Sequence, residues 1–214
     1  MIELSAINRA EVLRYLGNSR AEMTERMTFL LDECESEIIA TATPKYLYKT
    51  VSLGESGLLV GESITRHMQN CENAVVICAT LGAGVDKLIR TAQVTDMAKT
   101  VVLDAMASAA IEQVCNKLDG VIAEQNEGKF LTWRFSPGYG DYPIDLQKDF
   151  LTILDAPRKI GLCTNDNSIL TPTKSVTAIM GVSDTPLEQK RRGCASCNMA
   201  KICKFRKNGE RCEF

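Results

Sequence analysis

Arg134-Phe135-Ser136-Pro137-Gly138-Tyr139-Gly140-Asp141-Tyr142-Pro143 differs in kind from everything around it. The stretch places two prolines, two glycines and two tyrosines within ten residues. Proline fixes φ and glycine admits positive φ, so the backbone path is tightly specified. A loop specified in this way can aim its backbone N–H and C=O groups at a ligand. Arg134 offers a planar fork to a carboxylate. Tyr139 and Tyr142 offer flat faces to an aromatic ring. The combination suits a small zwitterion that carries a planar base, and it equally suits a rigid structural turn.

Working outward, Phe130 to Phe135 reads as a strand entering the stretch. The longest helical pattern, Thr95 to Glu127, precedes it, with Glu112 between Ile111 and Gln113. Its small residues, Ala105 and Ala107 to Ala110, would let another element approach closely. Upstream, residues 8–16 read as a short helix closed by Gly17, and a second helix runs from Ser19 or Ala21 to Thr41. Tyr46 to Val51 and the apolar run Ala74 to Thr80 read as strands, with Leu58 to Val60 as a short partner. Ser63 is placed to cap a helix over Ile64 to Asn70. Leu81-Gly82-Ala83-Gly84 then leads into a helix to about Gln93. Two glycines are not a dinucleotide fingerprint, so a tight turn is expected there rather than a phosphate cradle. Residues 169–180 read as one or two strands. The mixture of long helices and short strands predicts an α+β fold.

The chain has 214 residues and a formal charge of −2. Its apolar runs fall short of a membrane span, and its first residues carry no charged-then-apolar leader, so a cytoplasmic protein is expected. The near-zero charge hides an asymmetry. From Pro186 to Phe214 there are eight basic and three acidic residues, a net of +5, which leaves −7 on residues 1–185. We therefore expect a globular domain over 1–185 and a basic, cysteine-rich tail over 186–214. Cys194, Cys197, Cys203 and Cys212 form a Cys-x2-Cys-x5-Cys-x8-Cys pattern. In a reducing compartment such spacing points to metal rather than disulfides. It resembles auxiliary iron–sulfur segments, which favours a [4Fe-4S] cluster, with zinc and free thiols as alternatives. The surrounding lysines and arginines would offset the cluster's negative charge. One histidine, His67, and no convincing triad leave no catalytic residue to name; His67 reads as an ordinary packed or surface histidine.

The run from Arg134 to Pro143 resembles the Arg-x-x-x-Gly-Tyr signature of the activation domain of cobalamin-dependent methionine synthase. The flanks carry the same resemblance: the alanine-rich helix with Glu112, Lys159 to Cys163, Leu170-Thr171-Pro172 and Ser175 to Ala178. The opening Ile7 to Gly17 resembles stand-alone members. The resemblance implies a twisted antiparallel sheet flanked by long helices. It implies S-adenosylmethionine as ligand, held by Glu112, Arg134, Ser136, Pro137, Gly138 and Tyr139. Arg134 would take the ligand's carboxylate, Ser136 and Gly138 would contact it through backbone, and Glu112 would lie near its amino end. Tyr139 would face cobalamin carried by a partner, a methionine synthase or other corrinoid protein, with flavodoxin or ferredoxin as a possible electron donor. Two departures stand out: Met180 falls where the family has a pocket tyrosine, and the family's N-terminal ligand aspartate has no counterpart. The implied activity is reductive methylation of an oxidised cobalamin. The alternative is an iron–sulfur electron donor to a corrinoid protein that does not use S-adenosylmethionine. A nucleic-acid module is disfavoured, because the main body is acidic and the tail has only Phe205 and Phe214 as aromatics.

Overall fold

A computed structural model describes residues 2–17 and 23–187. The four tail cysteines, and nearly all of the expected tail, lie outside the described residues.

Eight helices and six strands follow one another along these residues: α1 (Arg9–Tyr15), α2 (Glu25–Thr41), β1 (Lys45–Ser52), α3 (Leu53–Ser56), α4 (Glu62–His67), β2 (Asn73–Thr80), α5 (Ala83–Thr95), α6 (Met97–Gln125), β3 (Phe130–Leu131), α7 (Gln147–Leu154), α8 (Ala156–Ile160), β4 (Cys163–Thr164), β5 (Leu170–Thr171) and β6 (Ser175–Ser183). Four strands make one antiparallel sheet in the order β1-β2-β6-β3, and β4 pairs with β5 in a separate ribbon. The fold is α+β, as expected.

Strand β2 explains the layering. Seven of its eight residues are buried, so apolar side chains are needed on both faces rather than in alternation. Val75, Ile77 and Ala79 face a core built with α1, α2, α5 and α6. Ala74, Val76 and Cys78 face a second core built with α3, α4, α7 and α8. The sheet therefore has helices on both sides. Helix α6 is buried along almost its full length because α1, α2 and α5 all pack against it. Its small residues Ala107, Ala109 and Ala110 are buried.

Three expectations need correction. The strand expected over Phe130 to Phe135 pairs only at Phe130–Leu131, and then by one bridge from Phe135 to Ile179. Thr132 interrupts it, since its hydroxyl accepts the Gly181 N–H and takes a ladder position from the backbone. Leu58 to Val60 is a loop, not a strand. Ser63 does not cap its helix: Gly61 occupies the N-cap, and the capping oxygens come from Asp141. Helices α7 and α8 were not anticipated. The glycine turn before α5 is a tight turn, as expected, with Thr41 and Thr43 packed against Gly84 and Gly82.

Candidate functional site

The Arg134–Pro143 segment leaves the sheet beside β6 and folds into a turn closed by its own backbone. The Gly138 N–H donates to the Tyr142 carbonyl at 2.8 Å, and the Tyr142 N–H donates to the Tyr139 carbonyl at 3.0 Å. Gly138 sits at φ 94°, a region that an L side chain rarely adopts. This is the positive φ that the glycine content predicts.

The turn is fastened to α4 at both ends of that helix. The Asp141 carboxylate accepts the N–H groups of Glu62 (2.7 Å) and Ser63 (2.9 Å). These bonds, with the Ser63 hydroxyl as the strongest contributor, pull the Asp141 carboxyl down to about 2. The approach is close enough that a Cβ on Gly61, at φ 110°, would stand 2.9 Å from the Asp141 carbonyl oxygen. At the other end, His67 Nε2 donates to the Trp133 carbonyl at 2.8 Å. Its ring packs on Trp133 (4.8 Å between centroids) and on Phe135 (4.9 Å). His67 is thus a packed histidine, in line with the sequence reading, and it supports the turn. An open concavity of about 600 Å³, lined by Gly61, Glu62, Thr65, Arg66 and Gln69, adjoins the turn through Gly61.

The two tyrosines take different places. Tyr142 is buried between Phe135 and Phe150, and burial pushes its hydroxyl well above the usual phenol range. Tyr139 is 60% exposed at the apex, edge-on to Phe135 with centroids 6.0 Å apart. Only Tyr139 is available to an incoming ring. Pro137 is buried, Ser136 is half-buried and Gly138 is exposed beside Ile144.

Arg134 points the other way, into the body of the domain, and is 7% exposed. Helix α6 meets it with three side chains. Nη2 lies 2.7 Å from Asn116 Oδ1 and 3.3 Å from Glu112 Oε2, and Nε lies 3.3 Å from Asp119 Oδ2. The structure therefore brings together the two charged groups singled out in the sequence, Arg134 and Glu112, as partners of one another. Asn116 and Asp119 escaped sequence reading. Their signal was present: Glu112, Asn116 and Asp119 stand at i, i+4 and i+7, a polar stripe along an otherwise apolar helix. Glu112 is the half-exposed member, its side chain 45% accessible. Met180 is buried in the sheet core, on the face that packs against α6.

Among the described residues no group of three or more His, Cys, Asp or Glu side chains is placed to hold a metal ion. Among them, too, no helix is long and apolar enough to cross a membrane.

No protein-family model and no curated protein matches the chain. Among solved structures it is similar to a crystal structure of the MetH reactivation domain bound to AdoHcy. The TM-score is 0.60 at 12% identity, over 86% of this chain and 76% of that one. At that identity the likeness is one of fold: an antiparallel sheet with long helices.

Proposed function

We propose that this chain binds S-adenosylmethionine beside the Arg134–Tyr139 turn and supports reductive methylation of a cobalamin held by a separate protein. That partner is a cobalamin-dependent methionine synthase or a related corrinoid methyltransferase. One observation carries the reading. A backbone-locked turn with an exposed tyrosine and a Glu112–Arg134 pair at its root occurs on the fold of a reactivation domain that crystallises with AdoHcy.

The side chains present suit such a ligand. Tyr139 offers a ring face, Ser136 and Gly138 offer backbone groups, and Arg134 and Glu112 offer charges of both signs for a zwitterion. The work asked of them is positioning. A sulfonium methyl held against a reduced metal reacts without a protein nucleophile or base, and proximity alone removes several kcal/mol of barrier, about 7–11 in favourable cases. The cysteines at 194, 197, 203 and 212 extend the proposal. As thiolates they would hold a [4Fe-4S] cluster, or else zinc, and a cluster would pass on an electron from flavodoxin or ferredoxin in the cytoplasm.

The test is reductive methylation itself. The chain is mixed with a methionine synthase that lacks its own activation module and is held in the cob(II)alamin state, with S-adenosylmethionine and reduced flavodoxin. Methylcobalamin should form, seen by visible absorption, only when the chain is present. Formation at the same rate without it would reject the proposal. Iron and sulfide analysis of anaerobically purified protein tests the tail, and a colourless protein with one zinc would end the electron-transfer part.

A second reading, an iron–sulfur donor that does not use S-adenosylmethionine, draws on two observations. Arg134 is already engaged by α6, and Met180 is buried where the family carries a tyrosine. Cobalt reduction that proceeds at full rate without the methyl donor would favour it.

A further inference from the structure

We infer that His67 is a positioning residue for the proposed ligand: it holds a bulge in the strand path that follows β3, and that bulge decides on which side of the sheet Arg134 stands. The inference rests on the ligand reading and adds a residue that acts on the site from the opposite side of the sheet.

The register shows the bulge. Phe130 pairs with Ser183 and Leu131 with Val182, and the Thr132 N–H continues that register to the Gly181 carbonyl at 3.0 Å. The next pairing is Phe135 with Ile179, N–H to carbonyl in both directions at 2.9 Å. Trp133 and Arg134 therefore stand opposite Met180 alone, the two-against-one count of a β-bulge. Side chains alternate along a strand, so one extra residue moves every later side chain to the other face. Leu131 packs on the α6 side. In an unbulged strand Phe135 would share that side and Arg134 would face away from it. Instead Phe135 packs in the core under α4 and α7, and Arg134 meets α6.

Two side chains hold the bulge at the Trp133 carbonyl. The Thr132 hydroxyl donates to it at 3.1 Å and itself accepts the Gly181 N–H, which ties the bulge to β6. His67 Nε2 donates to the same carbonyl at 2.8 Å, which ties the bulge to α4. The imidazole also packs on Trp133 and Phe135, the residues on either side of Arg134. One ring thus grips both flanks of Arg134 while Arg134 itself points the other way. His67 is the last residue of α4, and the first two residues of that helix hold Asp141 at the far end of the turn. The helix therefore spaces the entry of the turn from its exit. A binding group that shifts by a fraction of its reach loses affinity while the fold survives.

A double-mutant cycle on the full chain, read by calorimetric titration with S-adenosylmethionine, tests this. His67→Phe keeps a ring against Trp133 and Phe135 but removes the N–H, and it should weaken binding about fivefold, the size of one lost hydrogen bond. His67→Gln still offers an N–H to the carbonyl and should stay within about twofold of the unmodified chain. Because His67 acts through Arg134, His67→Phe should change the affinity by less than about twofold once Arg134→Ala is present. A role in packing alone would not depend on Arg134 in this way. If circular dichroism shows that His67→Phe folds poorly, His67→Asn, too short to reach the carbonyl, gives the same comparison. Affinity unchanged by loss of the N–H, equal loss with Gln and Phe, or equal weakening with and without Arg134 would overturn the positioning role while leaving the ligand in place. No heat from the unmodified chain would reject the proposed ligand itself, and the role of His67 with it.

Discussion

At the scale of single residues, Asp141 shows how a short side chain fixes a long-range geometry. Its carboxylate takes the Ser63 hydroxyl and, after it, two α4 amides that lie 78 and 79 positions away in sequence, and this holds its carboxyl at about 2, against 3.8 in an ordinary aspartate. A depressed folded value stabilises the fold above the ordinary value, and that stability is lost as pH falls through the folded one. The window is therefore 3.8 down to about 2. Melting temperature measured across that window should fall less steeply for Asp141→Asn than for the unmodified chain, and parallel curves would contradict the assignment. The cysteines give a second residue-scale prediction. Cys34 and Cys78 have no exposed surface, and burial pushes their thiols up to about 11 and about 12. Cys163 is exposed. Iodoacetamide at neutral pH, mapped by mass spectrometry on native protein, should label Cys163 and spare Cys34 and Cys78 until denaturant is added. Gly138, Pro137 and Tyr139 were legible in the sequence because proline and glycine announce their backbone needs. The direction of Arg134 was not, because which helix face meets it depends on how α6 rotates against the sheet.

At the scale of elements, α6 is the chief structural member, and its sequence announced this. Apolar residues recur through Met97 to Gln125 on a face wide enough for three neighbours. Leu118 is fully buried in that core. Leu118→Ala should cost about 3 kcal/mol in urea unfolding, the size expected of a cavity left by a truncated leucine; a loss below about 1 kcal/mol would show that the site collapses around it. Arg134→Ala tests the contact between α6 and the turn. It removes one partner of Asp119 and of Glu112 and should cost about 2–3 kcal/mol, less than a fully buried pair because both carboxylates keep some contact with solvent. Strand β2 was equally readable, being one unbroken apolar run. Helix α4 starts two residues before and ends three residues before its expected span of Ile64 to Asn70, and it has a different cap, since no local pattern marks a carboxylate supplied from another part of the chain. Helices α7 and α8 escaped notice because each is short. They meet at Asp155, a non-glycine residue at positive φ that serves as the cap between them.

At the scale of the whole molecule, an antiparallel sheet with helices on both sides carries the turn at the margin of the sheet, beside β6. The two cores on either side do different jobs. The core under α1, α2, α5 and α6 is large and aliphatic, and Arg134 reaches toward that helix side. The core under α4 and α7 includes Tyr142 and Phe150, which form the floor beneath the turn. The sequence resemblance rests on a motif and its flanks, and the fold agrees with it across most of the chain. The central proposal is that a sulfonium-bearing amino acid binds beside the Arg134–Tyr139 turn, with Glu112 at its root. Calorimetric titration of the full chain with S-adenosylmethionine, alongside Tyr139→Ala and Arg134→Ala, tests this most directly. The account predicts saturable binding at one site, weakened at least tenfold by each substitution, with circular dichroism showing that the variants remain folded. No binding by the unmodified chain, or binding that neither substitution alters, would contradict it.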